Sequence, residues 1–252
     1  MKLFANGDSF TFGGGLYNAH GQSGSMTPLS TNPLNQERLA VTWPGLLKEM
    51  TGAESLVNYA MSGGSNARIV RTTLDYFYDL LYKGENLSEY TAVIQWTEFA
   101  RTEFMIDRNW FYFGPGGAST DIGIGETAIP PCKAEFYVEN YYKTYYKVLQ
   151  SDQQDITNFV AHTAALGNFF KVHNIKYMFC MHVDCFLYSH KIKKIDQIKQ
   201  VLNSEFNWLN GSMHDSVLIN FLDESTRVSA DDAHPNTHGH QRIAQQIRNH
   251  IE

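Results

Sequence analysis

The chain has 252 residues, a formal net charge of −6 and three cysteines, so it is long enough for one α/β domain of about 200–250 residues. The acidic balance argues against a nucleic-acid-binding protein, and no apolar run reaches the ~18 residues that a membrane span needs. Three cysteines cannot build a disulfide framework, so we expect a cytoplasmic protein, although a virion component or a protein exported without a cleaved signal would look the same.

The predicted elements alternate between strands and helices along the chain. Short apolar runs predict strands at residues 2–6, 55–59, 91–96, 176–182 and 216–220. Apolar residues at helical spacing predict helices at residues 43–50, 66–82, within 135–173, at 196–209 and in a closing segment after Pro235. This alternation favours five parallel strands with helices on both faces of the sheet. The predicted fold class is therefore α/β.

A turn after the first predicted strand carries a serine. The apolar run Leu3 to Ala5 is followed by Asn6-Gly7-Asp8, residue types that end strands and allow tight turns. Ser9 would then lie at the carboxyl end of the strand, where open α/β sheets bind their ligands. Ser9 is thus a candidate nucleophile; the alternative is an ordinary turn in which Ser9 caps a helix.

A candidate base and its orienting acid lie near the other end of the sequence. Pro235 suits the first position of a helix, so His234 and Asp231 fall in the loop before that helix. A serine hydroxyl needs an imidazole to accept its proton and a carboxylate to orient that imidazole. We therefore predict Ser9, His234 and Asp231 as catalytic residues, with Asp231 bound to Nδ1 of His234 and Nε2 left free.

A metal site is the alternative interpretation of the same segment, because His238 and His240 lie close to His234. His234 precedes a proline and is therefore not expected to be helical. His238 and His240 are two positions apart and would diverge on a helix. We expect these two histidines to form a solvated helix face. The serine chemistry requires no metal and no organic cofactor.

The segments Gly7-Asp8-Ser9-Phe10 and Asp231 to Asn236 resemble motifs of the SGNH (GDSL-type) hydrolase superfamily, in particular phage and bacterial members with a Trp-Thr variant of the third block. The likeness runs from Lys2 to Ile247, interrupted from Met105 to Pro131. It implies a flavodoxin-like three-layer α/β/α sandwich with a five-stranded parallel sheet. It also implies one domain over residues 1–252, with a long loop insertion at about 105–131.

The resemblance further implies an oxyanion hole. The backbone amide of Ser9 would contribute, and Gly63 matches the second block, where a glycine leaves the backbone amide accessible. The third block departs from the family pattern, because this chain has Thr97 where the family has an asparagine. A threonine hydroxyl can donate one hydrogen bond, so we expect Thr97 to fill that place.

The resemblance implies an ester hydrolase, and aromatic residues are the candidate substrate contacts. They are Trp96, Trp110, Phe111 and Tyr112, with core packing or a subunit interface as the alternative. We expect a serine esterase acting on a small-molecule or carbohydrate ester, with a carbohydrate O-acetyl group favoured over a lipid. The sequence leaves the oligomeric state open, and a homo-oligomer is compatible with it. The rival interpretation is a catalytically weak or inactive glycan-binding or phage structural protein on the same scaffold.

Overall fold

The structure is a computed structural model that describes residues 1–16, 33–106, 109–114, 123–124, 140, 143–186 and 194–251. Four parallel strands form the main sheet: β1 (Lys2–Asn6), β2 (Ser55–Asn58), β3 (Tyr90–Trp96) and β7 (Lys176–Met181). Their order is β2-β1-β3-β7, which places β1 between β2 and β3. These four strands confirm the predicted ones to within one residue at either end.

The predicted fifth strand at residues 216–220 is reduced to one bridge. Val217 pairs with Met181 in parallel, and the Met181 N–H donates to the carbonyl of Ser216. The chain then forms a 3₁₀ helix at Leu218–Phe221: the amides of Asn220 and Leu222 bond to carbonyls three residues earlier, and the Ile219 N–H donates to the His182 carbonyl just after β7 at 3.3 Å. The α/β fold class is confirmed, with four strands in the sheet and two parallel bridges to β7, from Val217 to Met181 and from Trp208 to Phe179.

Helices cover both faces of this sheet. The α-helices of the described residues are α1 (Ser9–Phe12), α2 (Pro33–Val41), α3 (Trp43–Thr51), α4 (Asn66–Tyr82), α5 (Asp152–Val172), α6 (Ile195–Glu205) and α7 (Thr237–Ile251). Shorter turns of helix occur at Leu87–Glu89, Tyr145–Leu149, Leu209–Gly211, Leu218–Phe221 and Glu224–Thr226. None of the described helices is both long and apolar enough to cross a membrane.

Two apolar cores lie on opposite sides of the sheet. Phe4 of β1 packs on the side of α4 and α5, whereas its neighbours Leu3 and Ala5 pack on the side of α3 and α7. This alternation follows from the extended backbone, in which successive side chains point to opposite faces. Strand β1 is therefore buried on both of its faces, and this packing fixes its carboxyl end, where the turn that carries Ser9 begins.

An antiparallel sheet occupies part of the predicted loop insertion at 105–131. Its strands are β4 (Thr102–Ile106), β5 (Asn109–Phe113) and β6 (Gly123–Ile124), in that order. Glu103 of β4 accepts two hydrogen bonds from the Arg71 guanidinium of α4, both at 3.0 Å, and the Glu103 side chain is only 4% exposed. This bidentate pair attaches the hairpin to the main domain body. Residues 115–122 and 125–131 lie outside the described part of the chain.

Candidate active site

Ser9 is the first residue of α1 and is 5% exposed at the carboxyl end of β1. Asp8 caps this one-turn helix, its Oδ1 accepting the N–H of Phe10 at 3.0 Å. The N–H groups of Gly13 and Gly14 both donate to the Ser9 carbonyl, at 2.9 and 2.8 Å. The amides of a first helical turn have no acceptor inside the helix, so the N–H of Ser9 is available to an external one.

His234 lies in the loop before α7 and is paired with a carboxylate. Its Nδ1 is 2.5 Å from Oδ1 of Asp232, and the same oxygen accepts the His234 backbone N–H at 3.0 Å. The two side chains are 32% and 27% exposed. A carboxylate that accepts the Nδ1 proton leaves Nε2 with a lone pair, the state that a general base needs.

The sequence analysis predicted that Asp231 binds Nδ1 of His234, but the carboxylate found at Nδ1 is that of Asp232. Asp231 is exposed. The physical reason is local: Asp232 lies two residues before His234, so its carboxylate folds back onto the His234 N–H in an Asx turn and arrives at Nδ1 at the same time. A spacing of three residues does not use this turn.

Ser9 and His234 converge on Gly14. A Cβ atom at Gly14 would lie 3.0 Å from Ser9 Cβ and 3.0 Å from His234 Nε2, closer than ordinary side-chain contact. The serine and the imidazole thus border the same small space, which stays open because residue 14 has no side chain. The sequence analysis did not single out the run Gly13 to Gly15, although three consecutive glycines just after a candidate nucleophile are a readable signal of close approach.

A second carboxylate–imidazole pair is formed by Asp8, the residue before Ser9, and His182. Asp8 is fully buried and accepts hydrogen bonds from Gln95 Nε2 at 2.6 Å and from Thr97 Oγ1 at 2.7 Å. His182 Nδ1 lies 2.9 Å and Arg101 Nη1 3.6 Å from its Oδ2, as charge contacts without the alignment of a hydrogen bond.

These contacts decide the charge of Asp8. Burial alone would raise the pKa of this carboxyl, but the charges of His182 and Arg101, with the hydrogen bond from Thr97, hold its pKa well below the usual range. Burial alone would lower the pKa of Arg101, but Asp8 and Glu98 raise it. Asp8 is therefore a buried anion beside a buried cation.

Thr97 is placed differently from the prediction. Its hydroxyl donates to Asp8, and its backbone N–H and carbonyl are both paired with the side-chain amide of Asn66, at 2.9 and 3.1 Å. A hydroxyl has one proton to donate. The Thr97 side chain is thus already bound to Asp8 and is not free for the oxyanion role expected of it.

Gly63 lies in the loop between β2 and α4 with a φ of 76°, a conformation that glycine adopts readily and other residues rarely do. The loop is held beside the nucleophile turn, because the Met61 N–H donates to the Gly7 carbonyl at 3.1 Å. The structure therefore brings the second-block glycine to the turn that carries Ser9. The assignment of its amide to the oxyanion stays a prediction.

Trp96 is the last residue of β3 and is fully buried. It packs edge-on against Phe159 and Phe179, at ring-centroid distances of 5.6 and 5.3 Å. The predicted substrate contact by Trp96 is wrong, because both faces of this parallel strand are covered by helices. The backbone of Trp110, Phe111 and Tyr112 lies in β5, and their side chains lie outside what the structure describes.

The histidines of α7 separate into two environments. His238 is exposed, as expected, but His240 is fully buried and its Nδ1 accepts the N–H of Trp43 at 3.1 Å. Burial lowers the pKa of His240 to about 3, and the neighbouring charge of His234 adds to the effect. The expectation of a solvated face is therefore wrong for His240, which is a neutral imidazole joining α7 to α3. Among the described residues, no three metal-ligating side chains cluster.

A cavity of about 650 Å³ lies at the carboxyl ends of β3 and β7. Its wall combines apolar side chains, including Phe99 and Ile156, with carboxylates, including Asp155 and Asp184. Neither Ser9 nor His234 is among the residues that line this cavity. The cavity and the buried pair are neighbours in the sequence, because the lining residue Val183 directly follows His182.

Comparisons with known proteins bear on the family and on the fold. A family model described as a family of unknown function (DUF6071) matches residues 26–250. The sequence matches none of the curated proteins. A G-D-S-L family protein from Desulfitobacterium hafniense DCB-2 is 12% identical, with a TM-score of 0.50 over 98% of each chain.

Two further solved structures are similar at lower TM-scores. TesA is 12% identical with a TM-score of 0.48, over 100% of this chain and 98% of its own. The psychrotrophic esterase EstA from Pseudoalteromonas sp. is 12% identical with a TM-score of 0.46, over 99% and 96%. At 12% identity the likeness to the G-D-S-L family protein concerns the fold alone, and it confirms the predicted α/β fold with a parallel sheet between helices. Because the family model spans most of its length, the chain belongs to the family of unknown function DUF6071.

Proposed function

We propose that this protein is a serine esterase in which Ser9 is the nucleophile, His234 the base and Asp232 the orienting acid. The observation that supports it best is the convergence of Ser9 Cβ and His234 Nε2 on the open space at Gly14, while Nδ1 of the same imidazole is held by a carboxylate. This is the order of groups that nucleophilic catalysis by serine requires.

The chemistry proceeds in two balanced steps. In the first step, Nε2 of His234 takes the proton of the Ser9 hydroxyl while the Oγ atom of Ser9 bonds to the acyl carbon. The N–H groups of Ser9 and Gly63 donate hydrogen bonds to the resulting oxyanion. The imidazolium returns that proton to the leaving alcohol. In the second step, the same imidazole takes a proton from a water molecule whose oxygen bonds to the acyl carbon; the bond to Ser9 Oγ then breaks, the imidazolium returns the proton to Oγ, and the carboxylic acid is released.

We further propose a short acyl group on a hydroxyl-rich alcohol, such as an O-acetylated carbohydrate. Support comes from the 650 Å³ cavity at the carboxyl ends of β3 and β7, which begins one residue after Thr97 with Glu98 and whose carboxylates Asp155 and Asp184 can accept hydrogen bonds from hydroxyl groups. Its apolar members Phe99 and Ile156 can pack against the faces of a sugar ring.

A fluorophosphonate probe and a panel of aryl esters with increasing acyl length, run beside acetylated sugars, test the proposal. We expect the probe to label the wild type but not Ser9→Ala, and hydrolysis to fall by about 10⁴-fold or more in His234→Ala. His238→Ala is the matched control, because His238 is exposed on α7, and it should keep full activity. Equal losses in both histidine variants would contradict the assignment of the base.

The rival function is glycan binding without turnover. It is favoured by one observation, the Thr97 hydroxyl being bound to Asp8 and so not free for the oxyanion. Glycan binding that survives Ser9→Ala, together with no labelling and no hydrolysis of any ester in the panel, would overturn the esterase proposal in favour of this rival.

A further inference from the structure

The cavity at the carboxyl ends of β3 and β7 is rich in carboxylates. Its acidic wall residues are Glu98, Asp152, Asp155 and Asp184, and no lysine or arginine of the described residues lines it. Two of the four carboxylates have a basic partner: Glu98 accepts a hydrogen bond from Arg101 at 3.0 Å, and Asp184 Oδ2 lies 3.2 Å from His214 Nδ1. Asp152 and Asp155, in the first turn of α5, have no basic partner in the described part of the chain.

Asp155 is the buried member of this pair, with 5% of its surface exposed. Its Oδ2 accepts a hydrogen bond from Gln150 Nε2 at 2.7 Å, whereas its Oδ1 has no donor among the described residues. The start of α5 favours a negative charge but gives Oδ1 no hydrogen bond. Burial and the charge of Asp152 raise the pKa of Asp155, against the opposing effect of Gln150. A buried carboxylate on the cavity wall thus lacks both a cation and one hydrogen-bond donor.

These two needs define the chemistry of a ligand. A primary ammonium group supplies a positive charge and N–H donors together. A quaternary ammonium has the charge without a donor, and a neutral hydroxyl has a donor without the charge. An anionic ligand would meet the unpaired carboxylates of Asp152 and Asp155 as like charges. The apolar wall residues Phe99 and Ile156 can pack against the body of the ligand.

We propose that this cavity binds an amino sugar, with the Asp155 carboxylate as the counter-ion of its primary ammonium group. The binding makes and breaks no covalent bond. The inference rests on the proposed function in one respect, which is that the amino sugar forms the alcohol part of the ester. The binding itself requires neither Ser9 nor His234, because neither residue lines the cavity.

Titration calorimetry with glucosamine and glucose, at a pH at which the amine is protonated, tests the binding. The two sugars differ at one position, where glucosamine has an ammonium group and glucose a hydroxyl. The wild type should bind glucosamine about 10–100-fold more tightly than glucose, as a charge-assisted hydrogen bond provides. Asp155→Asn should remove most of this difference, while its amide oxygen can still accept the Gln150 hydrogen bond.

Asp196→Asn is the matched control. Asp196 also lies in the first turn of a helix, α6, but it is exposed and is not part of the cavity wall. This variant should keep the full preference for glucosamine. A preference that Asp155→Asn leaves intact, or that Asp196→Asn removes equally, would overturn the assignment of the counter-ion. If Asp155→Asn does not fold, equal affinities of the wild type for the two sugars would still overturn the inference.

Butylamine distinguishes an amino sugar from a simple alkyl amine. It carries the ammonium group without hydroxyls, so it should bind more weakly than glucosamine. Binding as tight as that of glucosamine would overturn the choice of an amino sugar.

Hydrolysis separates this inference from the proposed function, because none of the calorimetric ligands is an ester. An O-acetylglucosamine with a free amine should have a lower KM than the matching O-acetylglucose. If the fluorophosphonate probe labels Ser9 but glucosamine and glucose bind equally, the cavity inference is wrong and the proposed function stands. If glucosamine is preferred but Ser9 is not labelled and no ester is hydrolysed, the proposed function fails and the binding site stands.

Discussion

Two carboxylate–imidazole pairs flank the ring of Phe10, and they differ mainly in burial. Asp232 and His234 lie at the rim, about one-third exposed, whereas Asp8 is fully buried and His182 nearly so. Water and substrate can exchange protons with the rim pair. In the interior, a charge without a partner is costly, so the buried Asp8 anion is held by Arg101 and by hydrogen-bond donors. The same two groups are thus open to solvent in one place and enclosed by fixed partners in the other.

The number of contacts shows the same contrast. The Asp8 carboxylate receives hydrogen bonds from Phe10, Gln95 and Thr97 in addition to its contacts with two basic side chains. Such a group cannot change its charge without breaking several contacts at once. This difference between the pairs can be tested by variants that remove one carboxylate at a time.

The largest effect is expected at the rim. Asp232→Asn should lower kcat by about 10³–10⁴-fold, because an amide no longer holds the His234 tautomer that leaves Nε2 as a base. Asp231→Asn is the matched control next to it and should stay close to the wild type, since Asp231 is exposed. Steady-state hydrolysis of an aryl acetate measures both. A large loss in Asp231→Asn with none in Asp232→Asn would restore the assignment made from the sequence.

The next largest effect is expected on the stability of the fold, at the buried pair of Asp8 and His182. Asp8→Asn should lower the free energy of unfolding by about 3–5 kcal/mol, because it removes the buried anion beside Arg101 and leaves that guanidinium only the more exposed Glu98 as a partner. Asp79→Asn removes the carboxylate of an exposed pair with Lys83 and should change stability far less. Urea denaturation compares the two variants. Equal midpoints would show that burial does not distinguish these carboxylates.

A smaller effect is expected where the serine meets the rim pair. Gly14→Ala would place a methyl group between Ser9 and His234 Nε2, and we expect about a 10²-fold loss of kcat with the fold intact. Gly114→Ala is the control, because an added Cβ there meets only ordinary contacts, the nearest at 3.4 Å. Kinetics and thermal unfolding are measured together. Full activity in Gly14→Ala would mean that the two groups do not meet at this point.

The smallest effect is expected in the pH dependence of stability, at the buried His240 imidazole. The pKa of His240 falls from 6.5 to about 3 on folding, so between these values the unfolded chain binds a proton that the native state does not. Stability should therefore decrease as the pH falls from about 6.5 toward 3. In His240→Gln, the amide can still accept the Trp43 N–H, and the melting temperature should fall less between about pH 7 and pH 4. An unchanged slope would argue against a buried neutral His240.

The sequence predicted those parts of the molecule that depend on local pattern or on motif. Apolar runs located four strands, and the two terminal motifs located Ser9 and His234. The acid was misassigned because Asp231 and Asp232 are adjacent, and only the turn geometry selects between them. The long-range contacts could not be predicted, since nothing near Thr97 in the chain indicates that its hydroxyl meets Asp8.

Packing decided the remaining differences. Trp96 is an aromatic residue at a strand end, and whether it faces a ligand or the core depends on helices that lie far away in the sequence. His240 looked like a surface residue because α7 is rich in polar residues, and its burial depends on α3. In both positions the partner element, and not the residue type, sets the environment.

The contact between α3 and α7 has a consequence for how the protein matures on the ribosome. Translation produces Ser9 and Trp43 long before His234 and His240, so a nascent chain without α7 has the proposed nucleophile but not yet the proposed base. Until α7 docks, Trp43 and Leu47 also lack the cover that Ile243 and Ile247 supply. The appearance of the proposed esterase activity during synthesis would therefore report the moment at which this helix packs against the sheet.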